Sequence, residues 1–321
     1  MSTASQARAQ RQVHPFRGYL CIGSAALLWG ICASLGSAAF TGRSGVPAVD
    51  PLILAQCRTT FSFLIFLPTI ASIRGLGALR LPIRDFLYLA AIGIFGVAAS
   101  NYFYYLAIQK TNVATAIIVQ YTAPVWVLLY TVARGAQRAT WPRVVSVVLA
   151  LIGVAMVIGM VGSGGLRLNS IGVAAAILAA FSFTFYNIGG HAILTRYDRW
   201  IVLLHTTGTA SAFWLIVNPP WRVAAQHYSS GQWIFLFVFS LLSVLAPFSF
   251  YFAGLQHLEP TRAVVTSCLE PVFSILIAAV ALGETVHAWQ AVGILLVLAA
   301  ILVVQLPEPG RQAVNLVEPV E

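Results

Sequence analysis

Apolar residues fill this chain in long runs broken by short polar turns. Ten runs can be drawn, at 18–40, 52–71, 86–108, 114–133, 141–161, 171–194, 200–217, 233–255, 261–282 and 288–305. Each approaches the roughly 20 apolar residues that cross a bilayer as a helix. The pattern therefore predicts an all-α membrane protein of ten transmembrane helices. No polar interval is long enough to hold a soluble domain. The first 17 residues are polar and carry Arg8, Arg11 and Arg17, like the basic end of a signal peptide. The run after them is longer than the roughly 7–15 residues of a signal core, so it reads as an uncleaved first span.

Composition agrees with the pattern. Of 321 residues 59% are apolar and 8% charged, against about 25% charged in soluble domains. A soluble enzyme, a disordered chain and a fibre are excluded on that ground. The net charge of +9 comes from 18 basic and 9 acidic residues, too thin a basic excess for nucleic acid. Its placement is more informative. With the N-terminus inside, 13 of the 18 basic residues fall in internal segments, including Arg74, Arg80, Arg84, Arg134, Arg138 and Arg143. Four (Arg43, Lys110, Arg167 and Arg222) fall outside and Arg58 lies within a span. That bias puts both termini in the cytoplasm, as tails over 1–17 and 306–321. Trp141, Trp200, Trp221, Trp233 and Trp289 stand at or near span ends, where indoles anchor at the interface. Cys21, Cys32, Cys57 and Cys268 lie in spans and read as small apolar fillers.

The second half repeats the first. The segment starting at Tyr105 aligns with that starting at Phe252, matching Gln109 with Gln256, Ala116 with Ala263 and Pro124 with Pro271 at a constant separation of 147. The same offset places Arg58-Thr59-Thr60 on His205-Thr206-Thr207. The repeats are expected over 18–161 and 170–305. Five spans per unit is an odd number, so the second unit enters the membrane upside down, the arrangement of alternating-access carriers.

On these residues the chain resembles the drug/metabolite transporter superfamily, in its EamA branch. The resemblance rests on Ala26-Leu27-Leu28-Trp29-Gly30, Gln56-Cys57-Arg58-Thr59, Leu269-Glu270-Pro271-Val272-Phe273 and Leu282-Gly283-Glu284. It covers residues 18–305. Gly135-Ala136 departs from the Gly-Glu that the second half keeps. Within the branch the chain is similar to the YddG-type exporters of aromatic and neutral amino acids. The resemblance implies a central cavity lined by the first four spans of each half, with the fifth and tenth outside.

Charge within spans is rare because it costs about 2.5–3.5 kcal/mol at the bilayer centre. Glu270 stands mid-span on a stripe with Ser267 and Ser274, and can attract a substrate ammonium, hold a coupling proton or bond structurally to its neighbours. Arg58 and its repeat mate His205 can serve substrate or structure; Arg58, nearer the outer end, can also pair with a carbonyl. Pro124 and Pro271 each remove a helical bond, to the carbonyls of Gln120 and Ser267, and can act as hinges or as static kinks. The remaining cavity candidates are Trp29 and Ser34 in span 1, Asn101 and Tyr104 in span 3, Gln120 and Tyr121 in span 4, Phe181 and Tyr186 in span 6, and Ser243 in span 8. Small and hydroxyl residues on these faces can equally serve helix packing. Neutral amides, phenols and rings suit a small zwitterion and suit a phosphorylated sugar poorly.

The function expected is export of small neutral or aromatic amino acids through a midplane cavity in the bacterial cytoplasmic membrane. The partners are then a small-molecule substrate and lipid, with no nucleic acid and no required oligomer. Efflux of cationic drugs or other metabolites is the alternative within transport. An intramembrane enzyme is the alternative outside it, but the metal, nucleophile and paired-acid motifs such chemistry needs are missing. No cofactor or metal is expected.

Overall fold

The computed structural model of the chain describes residues 14–40, 47–111, 113–158, 169–282 and 286–306. Among them every regular element is helical. The principal rods are α1 (Pro15–Phe40), α2 (Pro51–Arg74), α3 (Ile83–Ala91, Ile92–Ala98 and Ala99–Lys110), α4 (Val113–Gln120 and Ala123–Ala133) and α5 (Trp141–Val157). The second half supplies α6 (Ser170–Ile193), α7 (Arg199–Val217), α8 (Ser230–Ser240, Leu241–Leu245 and Ala246–Leu255), α9 (Pro260–Ser267 and Leu269–Leu282) and α10 (Ala288–Val303). Both tails, with Arg8, Arg11 and Arg311, lie outside the described residues, as do Arg43, Arg167, Gly283 and Glu284.

Seven stretches among the described residues are long and apolar enough to cross a membrane, and Trp141–Val157 and Ala288–Val303 are shorter apolar helices. Large apolar side chains stand exposed on rod after rod, Ile216 at 81% and Val280 at 89%. That is far beyond the few hundred Å² of apolar patch a soluble monomer shows, and it makes the protein a multi-pass membrane protein. Helix ends are closed by side chains. Asp50 accepts from the N–H groups of Leu52 and Ile53 at 2.8 and 3.1 Å, and Asp198 accepts from Trp200. Ser229 and Gln232 form a capping box. Each satisfies donors that a helix start leaves open.

The packing is symmetric under exchange of the halves. Helix α1 lies against α8 and α9, while its mate α6 lies against α3 and α4. Helices α2 and α7 pack on each other, as do α5 and α10. Two departures from regular helix are symmetric too. The π-helical turn Ile92–Ala98 in α3 corresponds to Leu241–Leu245 in α8. The interruption after Gln120 in α4 corresponds to the one after Ser267 in α9. Each interruption precedes a proline, Pro124 or Pro271, which has no N–H for the carbonyl four residues back.

Helices α5 and α10 touch through facing glycines. A Cβ on Gly153 would sit 2.8 Å from the Gly293 carbonyl oxygen. Valine at 153 is therefore expected to push the pair apart and cost about 1–3 kcal/mol. A lower melting temperature in detergent, with ligand binding retained, is the outcome to look for.

Candidate functional site

A cavity of about 140 Å³ lies between the halves. It is smaller than the roughly 300–1,000 Å³ of sites for drug-sized ligands. Its walls come from α1 to α4 and from α6, α8 and α9; among the described residues none from α5, α7 or α10 lines it. The sequence-expected residues Trp29, Asn101, Tyr104, Gln120 and Tyr121 meet here, as do Tyr186, Ser267 and Glu270, with Pro124 beside them.

The backbone irregularities explain why. Gln120 and Ser267 are the residues whose carbonyls lose a helical donor to proline, and both face the cavity. At membrane depth such groups must meet protein, water or ligand. The π turn of α3 supplies Gly96 and Val97 to the wall. The π turn of α8 supplies Ser243, whose carbonyl oxygen accepts from Trp29 Nε1 at 3.2 Å and from Arg58 Nη2 at 3.1 Å.

The polar groups divide into two stations. Glu270 accepts a hydrogen bond from the Tyr121 hydroxyl at 2.8 Å. Arg58 donates from Nε to Ser243 Oγ at 2.9 Å and from Nη1 to the Tyr105 hydroxyl at 3.2 Å, and lies over the Phe239 ring at 5.7 Å. Both Arg58 and Glu270 line the cavity, yet no ion pair joins them. The same cavity has an aromatic wall. Phe248 packs edge-on against Trp29 and Tyr186, at 5.3 and 5.6 Å, and Phe183 stacks parallel to Tyr186.

Some expected residues stand elsewhere. Phe181 is 43% exposed and packs on Trp126 at 4.4 Å. Five positions from Tyr186 is about 140° around a helix, so it faces away from the cavity. His205 is not in the lining. Its ring nitrogens sit on the carbonyls of Ile201 and Leu79 at 2.8 and 3.1 Å, tying α7 to the Leu76–Leu79 turn. Ser243 lies behind the lining, holding Arg58, and Pro271 is buried outside it. The Ser34 side chain lies outside the described residues. Gly30 serves contact between helices: a Cβ there would be 2.9 Å from Phe273 Cβ and 3.0 Å from the Glu270 carbonyl. Sequence reasoning passed over Phe183 and Phe248, because a phenylalanine in an apolar span looks the same whether it faces lipid or cavity.

A second polar concentration closes one end of the bundle. Arg143, 3% exposed, donates to Glu259 Oε2 at 2.8 Å, and Arg262 Nε lies 4.0 Å from the same oxygen. Gln137 Oε1 accepts there from Thr131 and Thr261. Nearby connections carry Arg74 with Asp198 at 3.2 Å and Arg196 with Asp85 at 3.6 Å. Tyr197 donates to Asp85, and that bond holds its phenol above the ordinary value. Among the described residues no cluster of His, Cys, Asp and Glu could hold a metal ion.

Known proteins resemble this chain over most of its length. A family model described as the EamA-like transporter family matches residues 17–159 and 170–306. The protein named uncharacterized inner membrane transporter YicL of Salmonella typhimurium is 24% identical over 92% of this chain and 97% of its own. An uncharacterized transporter of Archaeoglobus fulgidus is 25% identical over 79% and 86%. A solved structure at 22% identity superposes with a TM-score of 0.72, covering 90% of this chain and 97% of that one, and shows the shared fold.

Proposed function

The chain belongs to the EamA-like transporter family, and on that premise we propose that it exports small neutral or aromatic amino acids. In this reading substrate binds in the cavity between two inverted repeats, and rocking of the repeats exposes it to each side in turn. All ten rods cross the membrane, with both termini in the cytoplasm, the assignment the positive-inside count supports. The protein is a multi-pass protein of the inner membrane, the location named for its Salmonella relative.

The observation that carries the substrate class is the cavity's content: a guanidinium, a carboxylate and an aromatic wall in about 140 Å³. The volume favours a small metabolite over a bulky drug. The charges oppose a strongly anionic cargo, because Glu270 would face it. The similarity to YddG-type exporters points the same way. Organic-cation efflux is the second reading, favoured by Glu270 beside rings that can face a cation. Pro124 and Pro271 are the proposed hinges.

The test is counterflow in liposomes holding the purified protein. Labelled leucine and phenylalanine are expected to exchange against unlabelled amino acid. Flux of an organic cation with none of either amino acid would overturn the substrate class. Pro124→Ala and Pro271→Ala are expected to slow exchange several-fold with folding intact, and parental rates in both would make the kinks static.

A further inference from the structure

The two charged stations differ in what they leave unsatisfied. A guanidinium has five N–H donors. Arg58 spends three of them, all on neutral acceptors: Ser243 Oγ, the Ser243 carbonyl and the Tyr105 hydroxyl. One donor remains on Nη1 and one on Nη2. Donors on the two terminal nitrogens are the ones that can grip a carboxylate with two bonds. Glu270 is bonded by the Tyr121 hydroxyl, which leaves its second oxygen open, and it forms no direct ion pair with Arg58. Ionised groups at membrane depth pair with one another or mark a substrate path. Here a cation and an anion border one cavity without meeting.

A ligand with a single charge leaves one of these groups uncompensated. An amine would satisfy Glu270 and leave Arg58, and a carboxylic acid would do the reverse. A zwitterion satisfies both. The charges are also asymmetric with respect to the repeat. At the 147-residue offset Arg58 corresponds to His205 and Glu270 to Ala123, so the site has a carboxylate end and an ammonium end.

We propose that Arg58 grips the carboxylate and Glu270 the ammonium of an α-amino acid, and that Arg58 thereby selects amino acids over the corresponding amines. The proposal rests on the transport reading above and adds the residue that sets specificity. Its rival is a role for Arg58 as a joint that only ties α2 to α3 and α8. The two differ in what the charge is for. A joint supports every ligand equally, whereas a carboxylate grip supports only ligands that carry a carboxylate.

The experiment compares inhibition of phenylalanine counterflow by phenylalanine, phenethylamine and 3-phenylpropionate, with leucine, 3-methylbutylamine and 4-methylpentanoate alongside. The parent is expected to prefer the amino acid at least tenfold over either partial analogue. In Arg58→Gln the preference over the amine is expected to collapse to within about threefold, with inhibition by the amine itself unchanged. Where counterflow is too weak, direct binding of the same compounds by thermal shift replaces it. Arg58→Lys keeps the charge without the fork and is expected to fall between. It decides the matter if the glutamine variant does not fold. Ser243→Ala removes one bond that holds Arg58 and is expected to weaken the amino acid more than the amine. An Arg58 variant that weakens amino acid and amine in the same ratio overturns the assignment and leaves the transport reading standing. A parent that binds neither amino acid overturns both.

Discussion

Alanine in place of Arg143 is expected to destabilise the protein by about 3–5 kcal/mol. Removing one partner of a buried ion pair leaves the other charged and desolvated. Arg143 and Glu259 are 3% and 8% exposed, and their bond is 2.8 Å long. Arg262, at 4.0 Å, is a weak replacement. Replacing both, as Arg143→Met with Glu259→Leu, should cost much less, because the buried pair leaves together and Arg262, which loses Glu259, is 17% exposed. Melting temperatures in detergent check both outcomes, and a double variant as unstable as the single one refutes the account. The double variant also tests alternating access. At the 147-residue offset the corresponding positions in the other repeat are Asn112 and Gln290, neither of which carries a charge. The ion pair is then expected to hold closed the end proposed to face the cytoplasm. Without it, a cysteine at Ser267, in a background lacking the four native cysteines, should be alkylated several-fold faster from the cytoplasmic side. An unchanged rate would remove the latch.

Arg143 also marks where sequence reading stopped. It entered the count as one of 13 internal positives, which serves for orientation, but a charge count carries no burial. The long apolar runs were legible because bilayer thickness sets their length, and the repeat because substitutions at a fixed offset survive in small residues and prolines. The helix interruptions at Gln120 and Ser267 followed from Pro124 and Pro271, since a missing N–H is a local fact. The π turns were not legible. Nothing in Ile92–Ala98 or Leu241–Leu245 marks a change of bonding register; the first packs on α6 and α7 and the second on α1 and α2, contacts that lie far apart in sequence. Without the turn in α8, the position of Ser243 and hence the hold on Arg58 could not be foreseen. Periodicity also left the face of α6 undecided. Phe181 and Tyr186 looked alike in sequence, and only the neighbours separate them.

Glutamine in place of Glu270 is expected to lower amino-acid affinity by roughly 10- to 150-fold, the equivalent of a charged hydrogen bond worth about 1.5–3 kcal/mol. The substitution is nearly isosteric, and the amide oxygen can still accept from Tyr121, so the fold is expected to survive. What disappears is the charge. The groups that set its environment are Arg58 in the cavity, the phenols of Tyr121 and Tyr104, and the Cys268 thiol two residues away. Two roles make different predictions for a pH series. If Glu270 holds the substrate ammonium, the parent loses affinity as acid protonates the carboxylate, and the variant binds weakly at every pH. If it carries a coupling proton, the variant keeps counterflow, while net transport loses its dependence on a proton gradient. The cavity geometry favours the first, because Glu270, with one oxygen not bonded by Tyr121, and Arg58 border the same space. A variant with parental affinity and a parental pH profile would exclude both roles and make Glu270 a structural partner of Tyr121.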